Sequence, residues 1–486
     1  MKNLDKTNEV LQKILSSILI IFYCVYIPLY REEGGFFTLQ EVKFYALYNN
    51  RKTIYLLLVI LSISIIFQNR NNLKQWTKNH IKQIDIFLFL FLIITIISCR
   101  LSLSFKLTWL GSSGFFVGGY IISLAILSCL ILSKAQMPLK PLLYLIYVAN
   151  LFILIVTLFE GMGLDPLYTH QKLKVNDYYG FYATIGNTNW YSGYLSIITM
   201  VFLGFYLKEE EKIHSVLLLF FISLCIMDTL IIHAESTILA FFLAFLFLIP
   251  LMLNNKKYLS KLICCLIVLT ICLAVFSFSS LYDSLISATN GFFHLISNKA
   301  FCFTVCVLLI LLIIYLRRYN VGTKKLKPKL VVIVLISALI AAAVFMFIIN
   351  PVDFGNGRGE IWLYSLSKFK DYSLKYFLIG SGPENLNSIY SGYSFIYGAM
   401  LTTSHSEPIQ VLLTMGILGF ISYCMVWHII FHSIKTNIKK EECLPYALAL
   451  IAYFGQSLVN SATVPNVLLL CVVTATYIKF DLNAKE

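Results

Sequence analysis

The stretch QNRNNLKQWTKNHIKQ-IDIFLFLFLIITIIS, Gln68 to Ser98, changes character at a single point: sixteen mostly polar and basic residues, then fifteen that are nearly all apolar. A run of this kind approaches the ~20 residues that cross a bilayer's hydrocarbon. The basic flank is what a cytoplasmic loop carries. The same alternation extends in both directions. Apolar runs lie at about residues 12–30, 53–67, 84–98, 116–133, 141–158, 191–207, 216–232, 237–253, 262–280, 301–316, 330–349, 408–431, 443–459 and 464–480.

The fold class expected is therefore an all-α polytopic membrane protein with about 14 transmembrane helices, within a range of 12–14. Composition agrees. Of 486 residues, 59% are hydrophobic and 13% charged, and the mean hydropathy is +0.80. A soluble chain of this length has no way to hide so much apolar surface. The net charge of +14 sits in short loops between apolar runs, the signature of membrane topology and not of nucleic-acid binding.

With the N-terminus inside, the inner segments, together with Lys13 and Lys479 at the inner ends of the first and last runs, hold 25 of the 38 lysines and arginines, although the outer segments contain more residues. Both termini are expected to be cytoplasmic. The first apolar run lacks a small-residue cleavage site and reads as a spanning helix, not a signal peptide. The twelve cysteines lie mostly in apolar segments without metal-ligand spacing, so they read as small apolar fillers.

Length on the outer face concentrates in 31–52, 99–115, 159–190, 281–300 and 350–407. The inner loops are short, and no P-loop or G-x-G-x-x-G fingerprint is present. Chemistry, if any, belongs outside, and its donor cannot rely on a nucleotide site. The chain reads as one integral-membrane domain, 1–486. The 350–407 segment is inserted between the helices at 330–349 and 408–431.

That segment opens NPVDFGNGRGEIWLYSLSKFKDYSLKYFLIGSGPENL. Trp362, Leu366 and Phe369 recur at helical spacing, which predicts an amphipathic helix on the membrane surface. GSGP at 380–383 supplies residues that tolerate unusual backbone angles. Arg358 is the segment's only arginine. It is a solvated charge or, with a phosphorylated substrate, a clamp for two phosphate oxygens.

The segment closes on TTSHSEPIQVLLTMGILGF, Thr402 to Phe420. Ser404-x-x-Glu407 has the form of a capping box. His405 would then lie in the first turn, where the positive helix end disfavours a protonated imidazole. A neutral imidazole can accept a proton. Two other outer stretches carry polar groups. In GNTNW, Asn189 reads as an N-cap and Asn187 as a turn residue. In DTLIIHAEST a tight turn carries His233 and Glu235, with Asp228 one turn below. An acid at that depth needs a polar partner or a cavity.

Taken in order, TIGNTNWYSGYL, HAESTILA, GRGEIW…FLIGSGPENL and SHSEPIQVLLTMGILGF resemble the segments of the bacterial O-antigen ligase and O-antigen polymerase superfamily, over about residues 85–480. The resemblance implies an inverting, metal-independent membrane glycosyltransferase of the bacterial cytoplasmic membrane, with an extracytoplasmic site. Its donor is an undecaprenyl diphosphate-linked glycan. His405 matches the loop histidine that deprotonates the acceptor hydroxyl, and Arg358 matches the loop arginine that binds diphosphate.

Around these two, Glu407 is expected to orient His405 or the acceptor, and Asn187, Asn189 and Trp362 (with Trp190) to line the substrate site. The chain departs from the family pattern twice. Glu235-Ser236-Thr237 stands where the family has Ser-Arg, and Thr414-Met415-Gly416 where it has Glu-x-Gly. A second phosphate-binding cation then comes from Arg100, Lys172, Lys174 or a protonated His233. The alternative reading is a transporter or flippase of lipid-linked oligosaccharide, and a non-catalytic scaffold is a third.

Overall fold

The computed structural model describes residues 2–32, 39–111, 114–168, 181–278, 299–318, 328–352, 354–355, 357–391, 402–437 and 440–483. The chain is an all-α polytopic membrane protein. A helix covers each of the fourteen apolar segments. Among the described residues, eleven helices are long and apolar enough to cross a membrane. Gly119–Leu132 and Leu444–Ser457 are shorter, at 14 residues each. The one sheet among the described residues is a pair of two-residue strands, Phe181–Tyr182 antiparallel to Gly186–Asn187.

The chain forms two compact units. The first comprises 1–150, 360–447 and 457–486. In it the helix Gln83–Leu101 packs against Glu407–Asn437 and Gly119–Leu132, and Val464–Asn483 packs against Gly119–Leu132. Its buried charges are tied to identifiable partners. Lys43, fully buried, donates to the carbonyls of Ile27 at 2.8 Å, Pro28 at 2.9 Å and Tyr30 at 2.8 Å. It thereby satisfies the end of the first spanning helix, where carbonyls lack helical partners. Lys134 meets Asp85 at 2.7 Å, both side chains 8% exposed.

The second unit comprises 151–359 and 448–456. Its centre is Thr188–Lys208, of whose apolar window 89% is buried, against 17% for the peripheral Lys299–Arg318. The central helix touches protein on all sides, so it affords serines and threonines that a lipid-facing helix avoids. Ser192 Oγ, for example, pairs with Ser236 Oγ at 2.8 Å.

The helix Thr188–Lys208 also corrects one expectation. Its N-cap is Asn187, whose side chain accepts from the Asn189 N–H at 2.8 Å, and Asn189 lies inside the first turn. The antiparallel strand pair holds Asn187 extended, the backbone state a cap requires. Replacing Asn187 by Ala should lower stability by about 1 kcal/mol, read as a fall in the thermal midpoint of the purified protein. Asn189→Ala should change it by less than half as much.

Candidate functional site

Within the first unit, the histidine stretch is built with residues 360–391 and 402–415. The expected helix exists as Arg358–Lys370, and its inward face includes Trp362 and Phe369 but not Leu366. Ile361 is buried with Leu386, Tyr390 and Leu413, and Trp362 and Phe369 pack against them. Ser365 Oγ meets Tyr390 OH at 2.7 Å. Leu366 instead points outward, 42% exposed beside Leu363 at 45%.

The apolar run 408–431 is not a simple span. Helix Glu407–Asn437 is interrupted at Gly416, with φ 66° and ψ −171°. The interruption leaves carbonyls of the preceding turn without regular helical partners. Leu413 O accepts from the Ser381 N–H at 3.2 Å and the Tyr372 hydroxyl at 3.1 Å. Thr414 O accepts from the Gly382 N–H at 2.8 Å and Ser98 Oγ at 2.8 Å. The GSGP loop thus docks on the break and fixes a short half-helix, 407–415, at whose head His405 stands. Burial pushes the Tyr372 phenol up to about 12, so it remains a hydrogen-bond donor at neutral pH.

The capping box is not formed. The first helical bond runs from the Gln410 N–H to Ser406 O, so Ser406 is the cap and Glu407 the first helical residue. Ser404 Oγ donates to Ser406 O at 2.7 Å. The Glu407 N–H is already satisfied by Asn460 O at 3.1 Å, and Pro408 has no N–H to cap. His405 therefore precedes the helix and is not in its first turn.

His405 is half-buried, in the left-handed region at φ 48°. Its N–H donates to Thr403 Oγ1 at 3.2 Å, and the Trp362 indole N–H donates to Ser404 O at 3.1 Å. Thr403 Oγ1 also bonds Gln410 Oε1 at 2.9 Å and pairs with Ser461 Oγ. Several elements hold this strained residue in place, an arrangement that points toward function.

In the second unit, Arg358 opens its helix from the glycine turn. It is partly buried; Nη1 donates to Gly355 O at 2.9 Å, and Nε is buried with no partner among the described residues. Burial lowers its pKa from the ordinary value, and the neighbouring carboxylate of Glu235 opposes that shift. A guanidinium stays charged regardless.

His233, half-buried, caps helix Lys212–Ile232 in the left-handed conformation, φ 51°. Burial lowers its pKa to about 4, so the ring is neutral at pH 7. Burial therefore works against the protonated form expected of His233 as a second cation. Arg100, in the first unit, is exposed at the end of its helix, its guanidinium 6.0 Å from the Phe105 ring centroid. Lys172 and Lys174 lie outside the described residues.

One feature escaped sequence reasoning. Glu384, in the stretch following GSGP, is buried and left-handed at φ 60°. Thr414, already set apart in the sequence, turns its hydroxyl back to Gln410 O at 2.7 Å. No protein-family model matches the chain, and no curated protein matches it.

Proposed function

We propose that the chain transfers or polymerises a glycan from an undecaprenyl diphosphate carrier onto an acceptor hydroxyl at the outer face of a bacterial cytoplasmic membrane. The observation that carries this reading is His405: a strained imidazole, fixed through its backbone, at the head of a half-helix. In the reaction the acceptor oxygen attacks the anomeric carbon as its proton passes to the imidazole. The carbon–oxygen bond to the diphosphate breaks, undecaprenyl diphosphate leaves with the electron pair, and configuration inverts.

Arg358 is assigned to the departing diphosphate, where fixed positive charge is most effective. Its unpartnered Nε leaves a donor for an anion. Glu407 orients the acceptor or the ring. The donor's glycan, lipid and phosphates are the substrate, with no cofactor.

The decisive assay supplies the purified protein with an undecaprenyl diphosphate-linked oligosaccharide. Release of undecaprenyl diphosphate with lengthening or transfer of the glycan is expected, and a chelator should leave the rate unchanged. In that assay Arg358→Lys should raise KM for the donor about tenfold, because an ammonium loses the two-oxygen grip.

The flippase reading gains one observation, the helix broken at Gly416, since broken helices line transport sites. There, however, the exposed backbone faces a pathway, whereas Leu413 O and Thr414 O are taken by the protein's own donors. Proteoliposomes that move labelled lipid-linked oligosaccharide across the bilayer without releasing undecaprenyl diphosphate would establish the flippase instead.

A further inference from the structure

Asp228 is used neither by the proposed reaction nor by any ion pair among the described residues. It lies one turn before the end of helix Lys212–Ile232 with 0% exposure. Its Oδ2 accepts the Tyr191 hydroxyl at 2.5 Å, and that hydroxyl accepts from Thr157 Oγ1 at 3.2 Å. Glu160 follows Thr157 on the same helix face and is an electrostatic neighbour of Asp228; its own Oε2 is held by the Ala183 N–H at 2.6 Å. Asp228 Oδ1 is buried without a hydrogen-bond partner.

An O–H···O separation at the short end of the range fits an ionised acceptor. A buried carboxylate beside a second carboxyl group is costly unless a proton or a bound cation neutralises it. The groups converging here are carboxylate and hydroxyl oxygens, and both hydroxyls retain a lone pair. Hard oxygen donors select hard cations. One open carboxylate oxygen with neutral hydroxyls matches a single positive charge.

We infer that Asp228, with the Tyr191 and Thr157 hydroxyls, forms a buried site for a monovalent cation of the sodium type. The site ties three helices of the second unit together, so occupancy stabilises that unit. It is independent of the glycosyl-transfer reading, since it predicts binding in the absence of any glycan.

The test is saturable binding of radioactive sodium to the purified full-length protein, paired with thermal midpoints in sodium and choline chloride at equal ionic strength. Expected are one saturable site per chain and a midpoint that rises with sodium and then levels off, as ligand linkage requires. Asp228→Asn should abolish both. Tyr191→Phe, which keeps the ring's packing, should raise the half-saturating sodium concentration about tenfold.

A proton is the rival occupant, and it leaves both measurements indifferent to sodium. No saturable binding in the unmodified protein overturns the site, whatever the fate of the variants. So does a sodium response that survives unchanged in Asp228→Asn, or one that appears only with divalent cations.

Discussion

Replacing His405 by Ala is expected to slow glycan transfer by about 10²–10⁴-fold, the range over which a positioned base contributes, while the protein remains folded. The contacts that hold this position run through the backbone. The His405 N–H meets Thr403, and Trp362 reaches the neighbouring Ser404 carbonyl. Truncating the ring leaves these intact.

The left-handed φ of 48° does disfavour Ala by about 1 kcal/mol, so His405→Asn is the companion variant. Asn tolerates this conformation and supplies no base. Both variants should be equally inactive, with Asn close to the unmodified protein in thermal midpoint. Product formed by His405→Asn at a rate within threefold of the unmodified protein would remove the base from the mechanism. A double variant with Arg358→Ala should be little slower than the slower single one, because groups serving one transition state do not add.

Sequence made the helices legible because hydropathy and loop charge are local properties, and residues 84–98 and 191–207 needed no partners to be read. The cap at Asn187 went to the wrong asparagine, since the choice between 187 and 189 rests on a strand pair of four residues that no pattern announces. The burial that lowers the His233 pKa comes from other elements, so the sequence could not show it. The half-helix was hidden most completely: TMGILGF has the hydropathy of a continuous span, and only the docking of a distant loop interrupts it.

That docking rests on two glycines, and their substitution is the sharpest structural prediction. Gly380 has φ 74° and ψ −177°, and Gly416 has φ 66° and ψ −171°; both lie in a region only glycine occupies readily, at a strain of about 1–3 kcal/mol for other residues. A Cβ on Gly380 would sit 2.2 Å from the Thr414 carbonyl carbon, and one on Gly416 would sit 2.5 Å from the Ile379 nitrogen. Both obstacles are backbone, which cannot rotate aside.

Gly163 separates the two effects. Its φ is 78° but nothing lies within 4 Å of an added Cβ, so Gly163→Ala reports conformational strain alone. Gly380→Ala should lower the thermal midpoint well beyond Gly163→Ala, by a further 1–3 kcal/mol or about that order from overpacking. Hydrogen exchange should quicken at the Ser381 and Gly382 amides, which donate to the Leu413 and Thr414 carbonyls. Equal midpoints for the two variants would mean that the loop does not brace the break. If it does, any Gly380→Ala protein that still folds should lose transfer nearly as completely as His405→Ala, because the half-helix that carries the imidazole has been displaced.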